Sequence, residues 1–137
     1  MTNASALGCI STHGALGSYC KAKNLAHQVT SESICFVASA PTFDPSYGDF
    51  MATWSIGATV ASANRETIFT MLGKCLKETA ATHVLTTPSL FNTTLHDKLG
   101  PKELPALRTI ALGGEPMSLE TVRVWADGAR PVSYTHL

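Results

Sequence analysis

The 137-residue sequence predicts an α/β fold, with a layered, largely parallel sheet and flanking helices. Short β-branched or apolar runs alternate with longer stretches of helical periodicity. Most of the runs end at a glycine, a proline or a helix-capping side chain. The composition adds that 45% of residues are apolar, enough for the core of one domain, and no linker, repeat or low-complexity tract divides the chain.

The elements follow in order. Residues 14–27 place Leu16, Tyr19 and Cys20 on one helical face, and 33–39 then read as a buried strand. A turn follows at 40–42, because Pro41 cannot donate to a ladder. From Ser46 the spacing of Tyr47, Phe50, Met51 and Trp54 predicts a helix with those residues on one stripe, closed by Gly57. Residues 58–61 make a short strand. Asn64 is placed to cap the clearest helix, whose stripe is Ile68, Phe69, Leu72, Cys75, Leu76 and Thr79. Residues 82–87 have the β-branched content of a strand, Pro88 breaks it, and Leu90, Phe91 and Leu95 return to helical spacing. A loop covers 100–105, a strand covers 107–112, and Gly113-Gly114 closes it. Ser118 is placed to cap a helix that runs through Trp125 and stops at Gly128, and Arg130-Pro-Val132 begins one more strand.

Composition excludes several function classes. Charged residues make up 15%, and Lys+Arg balances Asp+Glu at ten each, so the basic excess of a nucleic-acid binder is absent. Four cysteines (Cys9, Cys20, Cys35, Cys75) form no CxxC pair, and although Cys9 and His13 are four apart no zinc-finger spacing joins them. Buried, reduced thiols and a cytoplasmic location are therefore expected, with no metal site. No apolar run approaches the roughly twenty residues that span a membrane, and the first residues lack the basic region of a signal peptide.

In open α/β sheets ligands bind beyond the carboxyl ends of strands, which directs attention to 42–49, 87–90 and 113–116. Asp44 reads either as a turn or N-cap aspartate ahead of the helix, or as a carboxylate at a pocket mouth that pairs with a ligand cation. Asp49 reads as a solvated or first-turn charge. Gly113-Gly114 reads as a tight turn, or as a place where a missing side chain lets backbone approach a flat ligand. Glu115 is then a polar contact or a solvated loop residue.

Five stretches taken together are more specific than any of these alone. They are Ile10-Ser-Thr-His-Gly-Ala-Leu16, Phe36-Val-Ala-Ser-Ala-Pro-Thr-Phe-Asp-Pro-Ser46, Gly57-Ala-Thr-Val60, Thr86-Thr-Pro-Ser89 and Leu104-Pro-Ala-Leu-Arg-Thr-Ile-Ala-Leu-Gly-Gly-Glu115. In order and separation they resemble the middle of an adenylation domain of the nonribosomal peptide synthetases, within the adenylate-forming, AMP-binding superfamily, over about residues 8–132. The resemblance implies part of the large N-terminal subdomain of such an enzyme. It also implies the reaction of an amino acid with ATP and Mg to aminoacyl-adenylate and pyrophosphate, then transfer to the phosphopantetheine thiol of a carrier domain. By motif match Asp44 would hold the substrate α-ammonium. Pro45, Gly48, Leu85, Ala111 and Gly113 would line the substrate pocket, and Gly114, Glu115 and Pro116 would lie beside the nucleotide. No second charge stands among the pocket positions, which favours an apolar or small polar substrate side chain, and the missing side chain at Gly48 would admit a larger one.

The sequence departs from the family pattern at both ends. Thr2-Asn-Ala-Ser-Ala-Leu-Gly8 stands where a Ser/Thr/Gly-rich phosphate loop ending in Pro-Lys-Gly is expected, with leucine in place of the lysine. Val132-Ser-Tyr-Thr-His-Leu137 stands where an Asn-x-Tyr-Gly-Pro-Thr-Glu motif is expected, and 133–137 read as a non-native tail. The chain is therefore expected to be an internal piece with no catalytic residue of its own, inactive alone and without tight nucleotide binding. The alternatives are a piece of an acyl-CoA or aryl-acid ligase, against which Asp44 argues, and a small stand-alone α/β binding module.

Overall fold

The computed structural model describes residues 10–96, 98–125 and 132–135. Helix α1 (His13–His27) precedes β1 (Ile34–Val37), and then α2 (Asp44–Ser55), β2 (Thr59–Ala61), α3 (Arg65–Glu78), β3 (His83–Thr86), α4 (Pro88–His96), β4 (Thr109–Gly113), α5 (Leu119–Trp125) and β5 (Val132–Thr135) alternate along the chain. The strands form one sheet in the order β2-β1-β3-β4-β5, and every pairing is parallel. The expected α/β class and the expected elements are therefore present.

This order fixes which helix covers which face. The chain steps from β1 outward to β2, then crosses back past β1 to β3 and continues to β4. Because parallel crossovers are right-handed, reversing the direction of travel puts α2 on one face and α3 and α4 on the other. Side chains alternate accordingly along each strand. Phe36, Val84, Ile110 and Leu112 join Ile68, Leu72, Cys75, Leu76, Phe91 and Trp125 in the main apolar core. Cys35 turns the other way, into a small cluster with Val29 and Ala58. In register with Cys35 stand His83 and then Thr109, and in register with Val37 stand Leu85 and then Ala111.

Local chemistry explains the helix ends. Thr12 Oγ1 accepts from the Ala15 N–H at 3.1 Å, Asn64 Oδ1 from Thr67 at 2.9 Å and Ser118 Oγ from Thr121 at 3.1 Å, each satisfying a donor of a first turn. The expected caps at Asn64 and Ser118 thus form. Pro88 opens α4 instead of merely ending the strand, as the first helical turn needs no proline N–H.

Helix α2 departs from expectation in two ways. It begins at Asp44, with Phe43 as an N-cap that makes no side-chain bond, so Asp44 is a first-turn residue and not the cap. Its inward face is Ser46, Gly48, Asp49, Ala52 and Thr53, while Tyr47 and Trp54 are 53% and 58% exposed. Two residues of the apolar stripe therefore point outward, and Phe50 and Met51 between them are half-buried. The sheet row facing α2 carries Cys35, His83 and Thr109, and small or polar side chains pack against it where aromatic ones would not. The start of β4 at Thr109, two residues later than expected, leaves Leu107 buried just ahead of the strand. The expected helix stop at Gly128, and Cys9 with the stretch Thr2–Gly8, lie outside the described residues.

Candidate functional site

The strand order reverses between β1 and β3, and at such a switch point the loops leaving the two carboxyl ends diverge and open a crevice. The loop after β1 delivers Asp44 at the start of α2. The loop after β3 delivers Thr87 and the start of α4, and the loop after β4 delivers Gly113 to Pro116. All strands are parallel, so the three loops emerge along one edge of the sheet.

Asp44 is exposed, and among the described residues its carboxylate makes no hydrogen bond or ion pair. It stands in the first turn of α2, where unpaired N–H groups carry partial positive charge. Pro45 is half-buried beside it, and Gly48 is buried one turn later on the same flank. A Cβ built on Gly48 would lie 2.6 Å from Tyr19 Oη and 2.9 Å from Tyr19 Cε1. The room that glycine leaves is thus taken by a ring from α1. That is the opposite of the open volume expected from the sequence.

The strands supply the row Val37, Leu85 and Ala111, paired Cα to Cα across β1, β3 and β4. Leu85 is half-buried and Ala111 buried. Gly113 sits two residues beyond Ala111, at the carboxyl end of β4. Gly114 has φ +82°, which favours glycine, and open space where a Cβ would stand. Pro116 is exposed.

Glu115 makes a polar contact. Its carboxylate accepts from the Ser89 N–H at 3.0 Å and from the Ser89 hydroxyl, which caps the first turn of α4 from another loop. These bonds hold the carboxyl below the usual glutamate range. The loops after β3 and β4 are thereby tied together across the site.

Under the same sheet face lies a polar cluster that sequence reasoning missed. Asp49 is buried, not solvated, and pairs with Lys23 of α1, the two side chains being 8% and 10% exposed. Burial pushes the Asp49 carboxyl up, and the neighbouring Lys23 ammonium opposes that shift. Asn24 Nδ2 donates to the Ala52 carbonyl at 2.8 Å, adding a second tie between α1 and α2. His83 Nε2 lies 3.0 Å from the His27 carbonyl and Nδ1 lies 2.7 Å from Thr82 Oγ1, so a neutral ring that donates through Nε2 satisfies both. Burial lowers the pKa of His83 and of His27. Lys23 and Asp49 are 26 residues apart, and no local period could have joined them.

Among the described residues no group of three His, Cys, Asp or Glu side chains is placed to hold a metal ion, and no helix is long and apolar enough to cross a membrane. Cys20, Cys35 and Cys75 are buried free thiols.

Residues 7–134 match the family model of AMP-binding enzymes. The chain is 36% identical over 128 residues to the nonribosomal peptide synthetase otaB of Aspergillus niger, covering 93% of this chain and 6% of that protein. It is 31% identical over 120 residues to the nonribosomal peptide synthetase atnA of Emericella nidulans, covering 88% of this chain and 2% of the relative. The chain thus spans a small part of the curated relatives it matches. Among solved structures, the Vibrio cholerae adenylation domain AlmE in complex with glycyl-adenosine-5'-phosphate superposes with a TM-score of 0.79 over 89% of this chain and 23% of that one, at 19% identity. An AMPPNP-bound form of the nonribosomal peptide synthetase FmoA3 superposes with a TM-score of 0.74 over 89% of this chain and 14% of that one, at 16% identity.

Proposed function

The chain belongs to the AMP-binding enzyme family, and from that premise we propose that it is the amino-acid-recognition centre of an ATP-dependent adenylating ligase of the nonribosomal peptide synthetase kind. The observation that carries the reading is Asp44, an exposed carboxylate without a partner among the described residues, at the switch-point edge of a parallel sheet. Its role is to hold the α-ammonium of the substrate. An ammonium paired there replaces part of its lost hydration with a charge-assisted hydrogen bond. A carboxylic acid that lacks the amino group gains nothing from Asp44, which disfavours the acyl-CoA and aryl-acid alternatives.

Pro45, Gly48, Leu85, Ala111 and Gly113 surround the substrate in this reading. They offer no charge, so the substrate side chain is apolar or small and polar. The residues present fit a nucleotide beside them, because open space at Gly114 lets a flat base approach the backbone and Glu115 holds that loop in place through Ser89. ATP, with Mg, supplies the activation that turns the amino-acid carboxylate into an aminoacyl-adenylate with release of pyrophosphate. The acceptor is a carrier-domain phosphopantetheine thiol, in a larger cytoplasmic synthetase of which this chain would be one part.

The test is amino-acid-dependent ATP–pyrophosphate exchange by an adenylation domain in which residues 10–125 replace the corresponding segment. Exchange is expected with apolar or small polar amino acids, and Asp44→Asn is expected to lower it by about a hundredfold or more, the scale of losing a charged substrate contact. A preference for Asp, Glu, Lys or Arg would contradict the account of the pocket.

A further inference from the structure

We propose that Tyr19 of α1 is a wall of the amino-acid pocket and restricts the substrate to a small side chain, as in glycine, alanine or serine. This rests on the reading of Asp44 given above and adds the size and class of the group that the site accepts.

The argument starts from Gly48. It follows Asp44 by four residues on α2, so the two lie on one flank of the helix. With Asp44 as the ammonium site, a side chain at position 48 would extend from that flank toward the substrate. The Tyr19 ring already stands there, with Oη, Cε1 and Cζ at 2.6, 2.9 and 3.0 Å from the Cβ position. Glycine at 48 therefore provides no free volume. It exchanges a wall residue on α2 for one that reaches over from α1.

The ring is held, not loosely placed. Lys23 follows Tyr19 by one turn of α1, and its ammonium lies 5.8 Å from the ring centroid, within cation–π range. Lys23 is in turn paired to Asp49, the neighbour of Gly48. Asp49, Lys23, Tyr19 and Gly48 thus form a closed circuit between the two helices. The ring is nevertheless 46% exposed, unlike an ordinary filler of a helix interface, and its phenol oxygen is presented at the Gly48 flank. A branched or aromatic substrate group would have to displace it. A hydrogen, methyl or hydroxymethyl group would not, and a hydroxyl could bond to Oη.

The experiment uses ligand-observed NMR on the 137-residue chain with glycine, alanine, serine, leucine, phenylalanine and tryptophan. Four forms are compared: wild type, Tyr19→Ala, Tyr19→Phe and Asp44→Asn, with thermal unfolding to confirm that each is folded. Wild type should bind the three small amino acids at least about tenfold more tightly than the three large ones, the scale of steric discrimination in pockets. Tyr19→Ala should erase that gap, and Tyr19→Phe, which keeps the ring, should preserve it. Tyr19→Leu replaces Tyr19→Ala if the alanine variant does not fold. Asp44→Asn should abolish binding of all six.

Failure of the two readings is distinguishable. If Asp44→Asn abolishes binding but wild type accepts phenylalanine as well as alanine, or the ranking survives Tyr19→Ala and Tyr19→Leu, the wall is overturned and the ammonium site stands. If binding persists in Asp44→Asn, or wild type binds no amino acid, the site itself is overturned and the wall with it.

Discussion

The two faces of the sheet solve opposite problems. Against α3, α4 and α5 the strands present Phe36, Val84, Ile110 and Leu112, and the core they join includes Leu72, Phe91 and Trp125, each less than 2% exposed. Against α1 and α2 they present Cys35, His83, Thr109 and Ala111, and the helices answer with Asn24, Ser46, Gly48 and an ion pair. The first face derives its stability from apolar area and close packing, which are non-directional. The second depends on specific partners, since each buried polar group there is costly without one. Bonds between α1 and α2 hold in place the helix that carries Asp44.

The largest expected effect tests that dependence. Lys23→Met strands the buried Asp49 carboxylate and should destabilise the chain by about 3–5 kcal/mol in denaturant unfolding, whereas Lys23→Met with Asp49→Leu should restore most of it, because removing both charges removes the unpaired one. On the other face Leu72→Ala should cost about 3 kcal/mol through a cavity, and Leu72→Met less than about 1.5 kcal/mol because volume is nearly kept. If Lys23→Met costs no more than Leu72→Met, the ion pair is not what joins α1 to α2.

The smallest effect concerns acid. His83 and His27 have folded pKa values below their ordinary ones, because burial disfavours the charged rings. As pH falls the unfolded chain takes up their protons first, so the stability they permit is present above the ordinary histidine value and lost as pH drops toward the folded values. Unfolding midpoints should therefore decline between about pH 7 and about pH 5, the range of histidine titration. His83→Gln should flatten part of that decline, and an unchanged slope would remove His83 from the account.

The same comparison explains what could be read from the sequence. The apolar face was legible because the period of α3, at Ile68, Leu72, Cys75 and Leu76, is the period of its burial, although Phe69 of the expected stripe is 52% exposed. The α2 stripe misled because the same rule assumes an apolar floor, and here the floor is polar, so Tyr47 and Trp54 turn outward and Asp49 inward. The parallel sheet and the position of Asp44 in the segment after β1 followed from alternation and motif order. Tyr19 did not, because its meeting with Gly48 depends on how two helices cross, and residue spacing carries no trace of that. The pairing of Glu115 with Ser89 was hidden for the same reason.

The central claim is that Asp44 receives an ammonium. The most direct measurement compares binding of L-alanine and of propionate, its counterpart without the amino group, to the wild-type chain and to Asp44→Asn by ligand-observed NMR. The account predicts that wild type binds alanine and not propionate, and that Asp44→Asn binds neither. Equal binding of the two ligands by wild type, or alanine binding unchanged in Asp44→Asn, would contradict it.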